Sequence, residues 1–254
     1  MDPCRPSADW RSDEDYADLA RGDRHAFAWE WLRRLPAYRA ACIRDAAGHG
    51  EAAAFGLHRF EPFDRPFPRA RPLWRREIDP HVVMASARPH KPGKAAFDFA
   101  QLTELASSCH VVSGDAEHWL WTEGRRSLRL DLAAGTLRDG PVRLEYQLSG
   151  FQDVLPRLAA IERLVALTRS GRLVRGLFTK ERRAPRWALV LRTWDALAAG
   201  ATQREIADRL FDLGGLARWR IEASSWRQRT QRLVAAARAS ANVPPSRWLD
   251  GSWN

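Results

Sequence analysis

Cysteine is scarce in this 254-residue sequence, and long apolar runs are missing from it. Cys4, Cys42 and Cys109 are widely separated and form no Cys-x-x-Cys pair, so the sequence supports neither a disulfide framework nor a cysteine zinc site. No apolar run could span a bilayer, and none near residue 1 could serve as a signal peptide. The sequence therefore predicts a cytoplasmic protein without a membrane partner.

Motifs of common enzymes are lacking as well. Pro92-Gly93-Lys94 has neither the leading glycine nor the following hydroxyl of a phosphate-binding loop, and there is no His-Glu-x-x-His or Gly-x-Ser-x-Gly sequence. The histidines are scattered, and His110 and His118 are typical of ordinary sheet or loop residues. The sequence therefore predicts a protein that is not an enzyme and that has no cofactor and no metal site.

Positive charge is abundant and unevenly distributed. The net charge is +10, and nearly all of the basic residues are arginine. Such a charge favours polyanionic partners, either nucleic acid or an anionic membrane surface. Between Lys180 and Arg238 there are 13 basic and 6 acidic residues, a net charge of +7. Most of the excess charge therefore lies in the C-terminal part.

Residues 1–54 are predicted to form an N-terminal helical unit. Ser12 is a suitable cap for a helix that ends by Gly22, and a second helix is expected from about His25 to Leu35. The segment is rich in large aromatic residues, which favour a small packed core. The alternative is that some of them form a protein-interaction surface. These aromatic residues are Trp10, Tyr16, Trp29, Trp31 and Tyr38.

Residues 55–80 are predicted to be an extended connector, because five prolines exclude a long helix or a central strand. Arginine alternates with phenylalanine and tryptophan here, and a stacking surface for single-stranded nucleic acid is the alternative interpretation. Residues 81–150 then change to a period of two, at Leu128–Leu132 and at Val142–Leu148. This alternation predicts a small central antiparallel sheet.

Residues 151–254 are predicted to be a helical DNA-binding domain. Helices are expected at Asp153–Thr168 and from Trp187 to Gly200. Two capping-box patterns follow: Glu205 lies three residues after Thr202, and Gln228 lies three residues after Ser225. A capped helix pair at residues 202–241 with a basic face is typical of a helix-turn-helix DNA reader. The whole chain is therefore predicted to be an α+β protein.

The helix that starts near Ser225 carries most of the candidate DNA-binding residues. Arg227, Gln228 and Gln231 are close to its N-terminus, where they are expected to read bases in the major groove. Four further arginines are expected to contact phosphates, which position a protein without reading sequence. They are Arg229, Arg232, Arg204 and Arg186.

Several longer sequence segments resemble known protein families. RDGPVRLEYQLSG, LRTWDALAAGATQREIADRLF and the Trp-x-x-Arg-x-x-Arg-Leu-Val pattern at 226–234 resemble a proteobacterial family of transcription-factor DNA-binding domains. ADLARGDRHAFAWEWLRRLPAYR, FGLHRFEPFDRP and WRREIDPHVV resemble the transcriptional-regulator-like domain that often precedes it. The resemblance implies a C-terminal helical bundle with a variant helix-turn-helix. Its connection from Asp212 to Ser224 is longer than that of a minimal motif.

The resemblance also implies a function. Proteins of this architecture are similar to transcriptional activators of integrative and conjugative elements, so we expect a sequence-specific regulator that binds double-stranded DNA and activates transcription. RNA polymerase and other regulators are further expected partners. Single-domain relatives act as antiactivators, and a protein-interaction module that binds another transcription factor or RNA polymerase is therefore the alternative. The sequence leaves the oligomeric state open.

Overall fold

A computed structural model describes residues 8–45, 50–93, 96–102, 107–151, 153–214 and 224–253. The chain divides into two compact units. The first comprises Met1–Ile43, Phe63–Pro68 and Lys180–Asn254, and the second comprises Arg44–Pro62 and Arg69–Thr179. This grouping differs from the contiguous division expected from the sequence, whose boundaries at residues 54, 80 and 150 stay a prediction. Among the described residues, no helix is long and apolar enough to cross a membrane.

Seven α-helices are present in the described ranges. In chain order they are α1 (Arg24–Leu32), α2 (Pro36–Arg44), α3 (Val154–Ser170), α4 (Ala184–Ala198), α5 (Gln203–Phe211), α6 (Ser224–Ser240) and α7 (Pro245–Leu249). Single 3-10 turns lie at Glu14–Tyr16, Leu19–Arg21, Glu51–Phe55, Phe99–Gln101 and Arg175–Leu177. The predicted helix between Ser12 and Gly22 is thus two 3-10 turns. Helix α1 begins after Asp23, whose side chain accepts a hydrogen bond from the amide of Ala26.

The first unit has an aromatic core that joins distant parts of the chain. Phe27 of α1 contacts Trp187 edge to face and stacks on Trp248, at ring-centroid distances of 5.2 and 5.9 Å. All five aromatic residues that the sequence analysis singled out near the N-terminus are buried. The interpretation of these residues as an interaction surface is therefore wrong. The N-terminal helices bury them partly against α4 and α7, which sequence reasoning over 54 residues did not include.

The second unit contains a five-stranded sheet. Its strands are β1 (Val83–Pro89), β2 (Ser107–Ser113), β3 (Ala116–Glu123), β4 (Arg126–Ala134) and β5 (Val142–Tyr146), in the order β2-β3-β4-β1-β5. The α+β class is confirmed. Three pairings are antiparallel as predicted, but β1 and β4 are parallel, so the sheet is mixed. The β2-β3 hairpin lies between β1 and β4 in sequence. This long connection allows β4 to lie beside β1 with the same chain direction.

The two faces of this sheet have different chemistry. Trp119 and Trp121 of β3 lie on one face, in an apolar core that also includes Leu164 and Leu167 of α3. Alternate residues point to opposite faces of a strand, so His118 of β3 and the β4 pair Arg129 and Asp131 share the other face. The first face explains the strong alternation in the sequence. The second face contains buried charged and polar side chains.

Arg129 links that polar face to the proline-rich segment. Its guanidinium donates to the carbonyl oxygen of Trp74 at 2.8 Å, to that of Trp119 at 2.6 Å and to Asp131 Oδ1 at 2.9 Å. His58 comes from the same segment, and its ring stacks on that of His118. Burial lowers the pKa of His58 to about 4, and the positive fields of His118 and Arg129 act in the same direction, so this imidazole is neutral at pH 7.

Candidate nucleic-acid interface

Helices α4, α5 and α6 pack together in the first unit, with α6 in contact with both of the others. Helix α5 begins at the predicted capping box. Thr202 Oγ1 accepts from the amide of Glu205, and the Glu205 carboxylate accepts from the amide of Thr202 at 2.7 Å. Ile206 of α5 is fully buried and packs beside Ala196 of α4 and Trp10. The first capping box of the sequence analysis is therefore confirmed.

Asp195 anchors α4 through buried charge. The guanidinium of Arg34 donates to both of its carboxylate oxygens, with two distances of 2.7 Å, and the Tyr16 hydroxyl donates to Oδ2 at 2.6 Å. Arg34 also pairs with Glu30, which accepts from Arg33 Nε at 2.8 Å as well. Bidentate arginine-carboxylate pairs fix geometry as well as distance. The position of α4 is thus set by residues of the N-terminal helices.

Further arginines of α4 and α5 are used inside the unit. Arg192 Nε donates to the carbonyl oxygen of Trp10 at 2.6 Å, and its guanidinium pairs with Asp13. Arg209 Nε donates to the carbonyl oxygen of Arg11 at 2.6 Å. These two arginines belong to the basic segment that suggested DNA binding. Their side chains nevertheless hold the chain around residues 10–13 against the helices.

Helix α6 buries one stripe and exposes the opposite one. Thr230, Val234 and Ala237 are buried at helical spacing, and the Thr230 hydroxyl is satisfied by the carbonyl oxygen of Trp226 at 2.8 Å. Trp226 and Leu233 are half-buried beside them. The apolar stripe predicted from the sequence is correct in its position, although Thr230 was not recognised as part of it. Its spacing from Trp226 and Val234 is the signal that could have identified it.

The predicted base-reading residues occupy two parts of α6. Gln228 and Gln231 are exposed, together with Arg232, on the side away from the buried stripe. Arg227 is half-buried, because it lies on the flank next to Val234. Within the described ranges, none of these four side chains has a hydrogen bond or ion pair. Gln228, Gln231 and Arg232 make up a surface of unused polar groups, which we call the outer face of α6, and Arg227 lies on the flank beside it.

Arg229 is different from its neighbours on α6. Its guanidinium lies over the ring of Phe211 at 4.5 Å and over that of Trp226 at 5.4 Å. The two rings contact each other, with centroids 4.9 Å apart, and so join the end of α5 to the start of α6. Sequence reasoning missed this junction, because Phe211 and Trp226 are separated by the long connection.

The other predicted phosphate contacts lie on other helices. Arg186 is exposed in the first turn of α4, and Arg204 is exposed in the first turn of α5. They are therefore not part of the outer face of α6, although they belong to the same three-helix group.

The second predicted capping box is wrong. Helix α6 already includes Ser224, so Ser225 lies inside the first turn and is not the N-cap. A serine followed by a glutamine three residues later is a local signal that helix interiors also contain. The predicted connection from Asp212 to Ser224 falls largely on residues 215–223, which lie outside the described residues. Asp212 itself ends α5 in the left-handed conformation, with φ of 50°.

Two models of known families match parts of the chain. Residues 148–242 match the family model described as T6SS, transcription factor, DNA binding domain, and they include α3 to α6. Residues 9–61 match the proteobacterial transcriptional regulator-like domain, which includes α1 and α2. No curated protein and no solved structure matches the chain. Neither family is an enzyme family, and the chain is a DNA-binding transcriptional regulator that combines a proteobacterial transcriptional regulator-like domain with a transcription-factor DNA-binding domain.

Proposed function

We propose that α6 is the DNA-reading helix of a variant helix-turn-helix, with α5 as its positioning helix and α4 as the scaffold. The observation that carries this proposal is the outer face of α6, whose polar side chains are not used by the fold. A recognition helix needs one face packed on its neighbours and the other free to enter the major groove. The contacts of α6 with α4 and α5 support the first requirement.

The chemistry of the outer face suits base reading. An arginine can bond in a bidentate manner to guanine, and a glutamine can do the same with adenine. Gln228 and Gln231 are one turn apart near the start of α6, and Arg227 precedes them on the flank. We therefore assign base contacts to Arg227, Gln228 and Gln231, which together define a sequence-specific operator.

Phosphate contacts are assigned to the remaining arginines. Arg232 is exposed one turn after Gln228, and Arg229 is exposed beside the aromatic junction. Arg186 and Arg204 lie near the starts of α4 and α5, where the helix dipole also favours phosphate. These contacts supply affinity that depends on salt and not on sequence.

A genome-wide footprint of the bound protein tests the proposal and identifies the operator. With that operator, fluorescence anisotropy should show that Arg227→Ala costs about 1 to 3 kcal/mol of binding free energy and relaxes specificity at one position. Arg238→Ala is the matched control, because Arg238 is an exposed arginine in the last turn of the same helix. We expect the control to bind like the wild type.

The competing function is that of an antiactivator that binds another regulator or RNA polymerase. This alternative predicts that Arg227→Ala and Gln228→Ala bind the operator like the wild type but no longer capture the partner. That result would support protein binding and contradict DNA reading. Footprints that show no shared sequence lead to the same conclusion.

We further propose that binding activates transcription, in line with the resemblance to activators of integrative and conjugative elements. A reporter fused to each footprinted promoter tests this direction. Expression should fall when the gene for this protein is deleted, and it should return with the wild type but not with Arg227→Ala. Expression that rises on deletion contradicts activation and leaves DNA binding intact.

A further inference from the structure

Three metal-ligand side chains meet on the polar face of the sheet in the second unit. His58 comes from the proline-rich segment, His118 from β3 and Asp131 from β4. His118 Nδ1 lies 3.0 Å from Asp131 Oδ1, and His58 Nε2 lies 3.8 Å from Asp131 Oδ2. All three ligand atoms lie within 4.8 Å of one another. The three residues are far apart in sequence, so the fold itself brings them together.

Both of these imidazole nitrogens are buried without a hydrogen-bond partner. His118 is only 8% exposed, and its Nδ1 is close to Asp131 but not aligned with it as a hydrogen bond. His58 Nε2 is in the same situation. An unsatisfied buried polar atom is costly, and such atoms in native structures require an explanation.

The spacing and the donor types fit a borderline divalent metal. Two ligands bound at about 2.1 Å to a tetrahedral Zn²⁺ are about 3.4 Å apart, which lies between the 3.0 and 3.8 Å nitrogen-oxygen distances observed here. Two imidazoles and one carboxylate are a ligand set that Zn²⁺ accepts, with a fourth position open to water. The rings are stacked at 3.5 Å with 24° between their planes, so coordination requires them to rotate until both lone pairs face one point.

Arg129 is the residue that orients the carboxylate. It holds Asp131 Oδ1 at 2.9 Å and is itself held by two carbonyl oxygens, so Oδ2 stays directed toward His58. Partners of this kind around a metal site fix the ligands in their binding orientation. The positive charge of Arg129 lowers the affinity for a cation, but the carboxylate lies between Arg129 and His58.

We propose that His58, His118 and Asp131 bind one Zn²⁺ ion, which ties the proline-rich segment to β3 and β4. All three residues belong to the second unit, and the proposal does not depend on the proposed function. It also departs from the sequence-based expectation that the chain has no metal site. Sequence reasoning did not bring these three residues together, because two of them are isolated in sequence and the third is an aspartate within a strand.

The test uses the full chain without a histidine tag, with its thiols blocked and metal removed by chelation. Calorimetric titration with ZnCl₂ should show one site, and Zn²⁺ should raise the melting temperature. His58→Gln and His118→Gln should each weaken binding by more than the roughly 10- to 100-fold that loss of an outer partner costs. His90→Gln is the matched control, because His90 is exposed and outside the cluster, and it should bind like the wild type.

Co²⁺ gives a second readout that needs no variant. Bound to the thiol-blocked wild type, it should show the visible absorption of a four-coordinate nitrogen and oxygen site without a thiolate charge-transfer band. A wild type that takes up no Zn²⁺ or Co²⁺ overturns the proposal, even if the glutamine variants fold poorly. Equal uptake by the wild type, His58→Gln and His118→Gln overturns it as well, because the ion then lies elsewhere.

Discussion

Helices α4 and α5 use their polar side chains differently from α6, although the three helices pack together. Asp195, Arg192 and Arg209 have internal partners, and the Thr202 and Glu205 side chains cap their own helix. The outer face of α6 has no such partners in the described part of the chain. The difference teaches that positive charge alone does not identify a DNA-binding surface. The arginines that the fold leaves unused are the better candidates.

The largest expected effect is on stability, at Asp195. Asp195→Ala leaves the guanidinium of Arg34 buried without its bidentate partner, and loss of one member of a buried ion pair costs about 3 to 5 kcal/mol. Urea unfolding followed by circular dichroism measures this loss. Asp195→Asn keeps hydrogen-bond acceptance and should lose less. Wild-type stability in both variants would mean that α4 is not held by this network.

Acid should weaken the same network through Glu30. Burial raises the pKa of Glu30, but Arg33 and Arg34 outweigh burial and hold it below the ordinary value of 4.5. A lowered folded-state pKa means that the carboxylate contributes stability above the unfolded-state pKa and that this contribution is lost as the pH falls through the folded-state value. In urea unfolding at several pH values, the wild type should therefore lose its advantage over Glu30→Gln in acid. An advantage that does not change with pH contradicts the ion-pair account.

The two capping-box sequences provide a matched pair. Thr202→Ala removes an observed N-cap and should cost about 1 kcal/mol of unfolding free energy. Ser225→Ala removes a side chain from the first turn of α6 at a position that is not the N-cap, so we expect no loss. Thermal unfolding of both variants makes the comparison. Equal losses would show that Ser225 acts as a cap after all.

The smallest effect should be seen in salt dependence. Arg232→Ala should weaken binding to all DNA sequences alike and reduce the slope of log affinity against log salt by about 0.9. Arg209→Ala is the contrasting variant, because Arg209 is bonded to the carbonyl oxygen of Arg11. We expect it to lower stability with no change in slope. The reverse pattern would contradict the division between internal and DNA-facing arginines.

Sequence reasoning succeeded where the signals were local. The Thr202 capping box, the α6 stripe and the alternation in β4 each depend on residues within two turns or one strand. It failed where the contacts are distant in sequence. The burial of the N-terminal aromatic residues against Trp187 and Trp248, and the parallel pairing of β1 with β4, depend on which segments meet, and no local period encodes that choice.

In the candidate interface, too, local features could be predicted from the sequence and contacts between distant segments could not. The composition of the outer face of α6 could be predicted, because helical spacing separates Gln228 and Arg232 from Val234. The stacking of Arg229 on Phe211 could not, since it depends on how the chain returns after α5. The internal hydrogen bonds and ion pair of Arg192 and Arg209 could not be predicted either. Their acceptors are a carboxylate and carbonyl oxygens near residues 10–13, far away in sequence.

The most direct test of the central claim is the ratio of affinities for the operator and for a scrambled duplex, measured for the double variant Gln228→Ala/Gln231→Ala. Our account predicts that this ratio falls by at least about tenfold while binding to the scrambled duplex and its salt dependence remain, because only base contacts are removed. An unchanged ratio in a folded double variant would contradict the claim that the outer face of α6 reads DNA.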